Sequence, residues 1–262
     1  MNLDLTDKYA IVCGSTQGLG FASAIELALL GANVTMVARN EEKLKEAVKK
    51  LDSSLQQKHT YFVADFQFPE QVKNAIEKHL AQHPVVNILV NNTGGPKGGT
   101  ALDAATDEYL QAFNSHLICN QVLTQAVVPS MRSSGYGRII NIISLSVKQP
   151  VAGLGVSNTI RGAVASWSKT LANELGEFGI TVNNVLPGYT KTGRLDSLME
   201  SRAATTGRSI EEIENEFISG IPAKRIGTPE EFGAAVAFLC TPAAAYINGI
   251  NLPVDGGKLS TL

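Results

Sequence analysis

The chain has 262 residues, 44% of them hydrophobic and 18% charged, with a formal net charge of −2 at pH 7. This length allows one large domain or two small ones, and the charge balance gives no electrostatic reason to expect nucleic acid or an anionic membrane as partner. Cys13, Cys119 and Cys240 lie far apart in apolar runs, which fits buried free thiols in a reducing compartment and suggests neither a disulfide framework nor a metal site. The N-terminus has no basic stretch leading into an apolar one, and no run approaches the ~18 apolar residues of a membrane span. The expectation is a cytoplasmic protein.

Along the chain, short runs rich in Val and Ile recur: "YAIVCG", "NVTMVAR", "HTYFVAD", "VNILVNN", "RIINIIS", "ITVNNVLPG" and "GINLPVDGG". Each reads as a strand buried on both faces, as a helix-covered parallel sheet requires. Helical stretches fill the gaps, among them "GFASAIELALLGA", "PEQVKNAIEKHLAQH", the long "DEYLQAFNSHLICNQVLTQAVVPSMRSSG", "GLGVSNTIRGAVASWSKTLANEL" and "PEEFGAAVAFLCT". The alternation predicts a single-domain α/β fold: a Rossmann-type doubly wound parallel sheet with helices on both faces. Only about 190–227 reads as irregular, being polar and broken by glycine. Its length suggests a lid over substrate.

Between the first strand and first helix, "CGSTQGLG" places Gly14, Gly18 and Gly20 in a tight turn, with Ser15, Gln17 and Leu19 between them. Glycines there permit close backbone approach, and the helix N-terminus offers free N–H groups to a pyrophosphate. The Gly-x-x-x-Gly-x-Gly spacing departs from the usual dinucleotide fingerprint, so the turn alone is a weak signal. The second strand ends at Ala38 and Arg39 rather than at a carboxylate. A fork-shaped guanidinium suits a 2′-phosphate, which favours NADP(H) over NAD.

With these motifs the chain resembles the short-chain dehydrogenase/reductase family, most of all its 3-oxoacyl-acyl-carrier-protein reductase branch, over nearly its whole length. "GSTQGLG" is similar to the TGxxxGIG turn, "VADF" supplies Asp65 and Phe66 at the adenine position, and "NNTGG" resembles NNAG with Asn91, Thr93 and Gly94. "LPGYTKT" resembles PGxxxT, so that Pro187, Gly188, Thr190 and Thr192 are implied to meet the nicotinamide end, and "LPVDGG" matches the closing strand. The resemblance also implies a homo-oligomer, commonly a tetramer, with Trp167 and the C-terminal "GGKLSTL" near contacts between subunits.

The same resemblance implies a tetrad of Asn, Ser, Tyr and Lys. At those positions stand His116, Ser144, Ser157 and Arg161, so only the Ser is kept. A Ser hydroxyl lies roughly 4 Å nearer its Cα than a Tyr hydroxyl does, and it is a far poorer acid than a phenol of pKa ~10. Arg161 keeps a charge and a hydrogen-bonding fork for the ribose, but it is no proton relay. Three side chains offer a replacement acid: His116, which ordinarily titrates near neutrality; Lys148, four residues past Ser144; and Tyr189, beside Gly188. Three functions stay open. They are NADP(H)-dependent interconversion of a small-molecule carbonyl and alcohol, a non-catalytic NADP(H)-binding sensor or assembly protein, and a lyase or isomerase using the same pocket. The lid sequence gives no strong bias towards a substrate, although Lys97, Lys191, Arg194, Arg202 and Arg208 offer a basic patch.

Overall fold

A computed structural model describes residues 1–261 of the chain. Seven parallel strands form one sheet in the order β3-β2-β1-β4-β5-β6-β7. They are β1 (Tyr9–Cys13), β2 (Asn33–Ala38), β3 (Thr60–Val63), β4 (Ile88–Asn91), β5 (Gly137–Ile142), β6 (Ile180–Pro187) and β7 (Asn251–Val254). The reversal of strand order between β1 and β4 creates the crevice where ligands sit in open α/β sheets.

Alternate strand residues feed two cores, as the period of a strand dictates. Ala10 and Val12 of β1, with Ile88 and Val90 of β4, meet α1 (Gly18–Leu29), α2 (Glu41–Val48) and α9 (Pro229–Cys240) on one face. Ile11, Cys13 and Leu89 meet α3 (Pro69–Gln82), α5 (Cys119–Ser134) and α6 (Gly155–Leu175) on the other. The inner strands are buried on both faces, as expected. β3 and β7 are not: each has a single neighbour, and their residues stay partly accessible.

A ladder of asparagines crosses the C-terminal half of the sheet. Asn91, Asn141, Asn184 and Asn251 are register partners on β4, β5, β6 and β7. Each side-chain amide donates to the next, at 2.9, 3.1 and 2.8 Å. Each amide N–H group thus finds an oxygen within the core, as a buried amide needs, while Asn91 Oδ1 at the head of the ladder is buried without a partner.

Two helical regions differ from expectation. The long helix expected over 107–135 is α4 (Thr106–Phe113) and α5, joined by a π-helical turn, Asn114–Ile118, that carries His116. Such turns often occur at functional sites. The region expected to be irregular folds as α7 (Gly193–Thr206) and α8 (Ile210–Ser219). Gly207, in the left-handed region at φ 70°, ends α7, and Ser209 caps α8 reciprocally with Glu212. The pair encloses Leu195, Met199, Ile213 and Phe217, and Glu216 binds both Arg202 and Arg208. Among the described residues, no helix is long and apolar enough to cross a membrane. Leu262, the last residue of the expected C-terminal contact segment, lies outside the described residues.

Candidate active site

The glycine turn sits where β1 meets α1. Gly14 and Gly18 are in the left-handed region, at φ 57° and 60°, which only glycine adopts without cost. Two of the turn's glycines serve the turn itself. A Cβ on Gly14 would lie 2.6 Å from Asn92 Nδ2, and one on Gly20 would lie 2.4 Å from the Gly14 carbonyl. Asn92 donates to the carbonyls of Cys13 and Gly14, both at 3.2 Å, and so clamps the end of β4 to the turn. Asn92 lies in "NNTGG" beside the residues expected at the cofactor, and its clamping role depends on the meeting of β4 and the turn in space.

The third glycine of the turn, Gly18, and Gly94 in the loop after β4 border open space. A Cβ on Gly18 would meet nothing nearer than Thr192 at 3.6 Å, and one on Gly94 would meet nothing within 4 Å. Gln17, extended at φ −164°, leads into α1 without capping it. The first N–H groups of α1 therefore lack a side-chain cap beside that space, as an anion site at a helix N-terminus requires. Arg39 is exposed just past β2, before the N-cap Asn40. Asp65 sits after β3 and accepts from the Gln67 N–H at 3.0 Å, while the Phe66 carbonyl accepts from the Cys119 thiol.

Two expected contacts are made differently. The Ser15 hydroxyl is buried and bonded to the main chain of Val37, and the Asn91 amide belongs to the asparagine ladder. Their side chains serve the sheet, and the Ser15 N–H also donates to the Val37 carbonyl at 3.4 Å. Leu19 packs into the core beneath the turn. At the end of β6, Pro187 and Gly188 pass close to Asp255, a Gly188 Cβ being 2.6 Å from it. Thr190 is buried, and Thr192 caps α7 through its hydroxyl.

Several residues at the implied catalytic positions lie near the carboxyl edge of β4 and β5. Arg161, on the inner face of α6, is buried and donates from Nη1 to the Ile142 carbonyl at 2.9 Å, two residues before Ser144. Its Nε is buried with no partner. Burial pushes this guanidinium down to about 10, with the charge of Arg194 as the second cause. It therefore remains charged near neutral pH. Ser144 caps a short 3₁₀ turn, its oxygen accepting from the Ser146 N–H at 3.1 Å. That bond fixes the oxygen and leaves the hydroxyl proton free to be donated.

His116 shares a hydrogen bond with Thr93, Nδ1 to Oγ1 at 2.6 Å. Burial, followed by the charge of Arg161, holds its imidazole well below the ordinary value. The ring is thus neutral at neutral pH, contrary to the expectation that it titrates there. The remaining candidates stand as follows. Ser157 is half-buried one turn before Arg161 on α6. Lys148 is exposed where the 3₁₀ turn ends. Tyr189 stacks on Phe217, ring centroids 4.3 Å apart, against the cluster that α7 and α8 enclose. Trp167 donates to Gln121 at 2.7 Å within the same chain.

A buried cationic fork with an unpartnered N–H, an uncapped helix start and open space at Gly18 and Gly94 fit a nicotinamide dinucleotide. Among the described residues no cluster of His, Cys, Asp and Glu could hold a metal ion, and all three cysteines are free and buried.

Comparison with known proteins agrees with this geometry. A family model described as enoyl-(acyl carrier protein) reductase matches residues 14–258. The 3-oxoacyl-[acyl-carrier-protein] reductase of Rickettsia bellii is 32% identical, over 98% of this chain and 99% of its own. The rabbit (Oryctolagus cuniculus) dehydrogenase/reductase SDR family member 4 is also 32% identical, over 98% of this chain and 96% of its own. L-Sorbose reductase from Gluconobacter frateurii, solved with NADPH and L-sorbose, superposes with a TM-score of 0.93 at 30% identity, all of both chains being covered. The chain belongs to the short-chain dehydrogenase/reductase family and is an enzyme of that oxidoreductase class.

Proposed function

We propose that the protein is an NADPH-dependent reductase that interconverts a small-molecule carbonyl and its alcohol without the family's phenolic acid. The observation that carries this reading is Arg161: a buried, charged fork with a free Nε, held against the Ile142 carbonyl at the end of β5. When bound, NADPH supplies the hydride. Arg161 would hold the ribose hydroxyls, Gly18 and Gly94 would leave room for the dinucleotide backbone, and Arg39 would pair with the 2′-phosphate. Asp65 and Phe66 flank the adenine position.

As hydride reaches the carbonyl carbon, the C=O π pair moves onto oxygen. Ser144 donates its free hydroxyl proton in a hydrogen bond to that oxygen, and the fixed charge of Arg161 stabilises it. A neutral His116 can polarise a substrate oxygen or order water through a ring N–H, but it cannot deliver a proton as imidazolium at neutral pH. Water is then the proton source that completes the alcohol. Loss of a positioned acid typically costs about 10²–10⁴ in rate, so slow turnover is expected.

The test is a single-turnover reaction with NADPH deuterated at its transferable position, over a panel of aldehydes and ketones. Deuterium on the former carbonyl carbon of a product supports the reading. Tight NADPH binding with no transfer to any carbonyl would instead favour a binding protein.

A further inference from the structure

Resting on that reading of the site, we propose that the substrate is itself an anion: an oxo acid whose carboxylate is received between Arg161 and Arg194, near the reacting carbonyl. Arg161 and Arg194 come from different elements, α6 and the lid helix α7. Arg161 is anchored to the Ile142 carbonyl at the mouth of β5. Arg194 reaches back from the lid to the Pro96 carbonyl at 3.1 Å, lying over Gly95 in the loop after β4.

Neither guanidinium has a carboxylate partner among the described residues, since the ion pairs involve other side chains. A buried charge ordinarily carries a partner, because burial without one costs several kcal/mol. Arg161 has only a neutral carbonyl and an unbonded Nε. The ribose that it would hold is neutral as well, so the part of the cofactor in contact with it carries no countercharge. Burial is the main cause that lowers Arg161 and His116, with the charge of Arg194 second for Arg161 and that of Arg161 second for His116. Arg161 at the end of β5 is buried, Arg194 over the loop that follows the neighbouring strand β4 is exposed, and both therefore stand at the same end of the sheet. A substrate carboxylate supplies the countercharge and accepts the forked hydrogen bonds that guanidinium geometry favours.

This arrangement also places specificity on the lid. Arg194 stands at the start of α7, so closure over an anion would pair the lid with the substrate and exclude water.

The experiment uses the purified full chain and two isosteric probes, oxalate and the neutral oxamide. NADPH binding is first measured by the fluorescence of the reduced nicotinamide. Each probe is then titrated into the NADPH complex of the wild-type protein and of Arg194→Gln. Oxalate is expected to bind and oxamide not to bind. Arg194→Gln is expected to weaken oxalate about tenfold or more, as loss of a charged hydrogen bond does, while leaving NADPH affinity within about twofold. Equal behaviour of oxalate and oxamide in a protein that binds NADPH overturns the anion site alone. Failure of NADPH to bind overturns the cofactor reading and the anion site with it.

Discussion

Gly94 and Gly20 separate space kept for a ligand from space needed by the fold. A methyl at Gly94 would meet no protein atom within 4 Å. Its backbone is outside the left-handed region, so Gly94→Ala is expected to fold, and reduced freedom of the unfolded chain adds about 0.4–1 kcal/mol of stability. If the open space belongs to NADPH, the same methyl overpacks the complex at a cost of about 1–3 kcal/mol, weakening binding roughly 5- to 150-fold. Gly20→Ala reverses this pattern. Its methyl would lie 2.4 Å from the Gly14 carbonyl oxygen and 2.9 Å from that of Cys13, both fixed backbone. A strain of about 1–3 kcal/mol lowers Tm by roughly 2–12 °C in a domain of this size. Thermal unfolding with and without NADPH reads both effects at once. A Gly94→Ala protein that binds NADPH like the wild type, or that unfolds, would refute the assignment of this space to the cofactor.

Further outcomes follow from the same geometry. Arg39→Glu is expected to weaken NADPH at least about tenfold and leave NADH little changed, because it removes the phosphate's partner and adds repulsion; fluorescence titration with both cofactors checks this. Tyr189→Phe keeps the stack on Phe217 and is expected to leave kcat unchanged, whereas an acid role for the phenol would lower it about 10²-fold or more. Stability is expected to fall as pH drops below neutrality. Burial holds His79 at about 4, and His116 is also depressed. Both are neutral in the native state while the unfolded chain takes up protons from about 6.5 downwards. Their contribution is complete above about 6.5 and is lost progressively towards about 4 for His79, as denaturant unfolding at a series of pH values can measure.

Much of the fold is legible because runs of Val and Ile bounded by glycine leave little choice besides buried strands. The glycine turn and Arg39 are legible for a similar reason, since their chemistry is local. The π-turn at His116 is not, because a change in hydrogen-bond phase barely alters the apolar pattern around it. Helices α7 and α8 are obscured by Gly207 and by many charges. Yet Ile210, Ile213 and Phe217 share helical spacing, and Ser209 with Glu212 is a capping signature that marks where α8 begins. The turns taken by Ser15 and Asn91 into the sheet, and the missing countercharge at Arg161, depend on which elements meet in space. Spacing along the chain carries no record of them.

The most direct measurement is a fluorescence titration of the wild-type protein and Arg161→Ala with NADPH and with NADH. The wild type is expected to bind NADPH at least about tenfold more tightly than NADH, and Arg161→Ala to lose about tenfold or more for both cofactors, since the ribose is common to them. Unchanged binding by a folded Arg161→Ala protein, or equal affinity of the wild type for the two cofactors, would contradict the cofactor site described above.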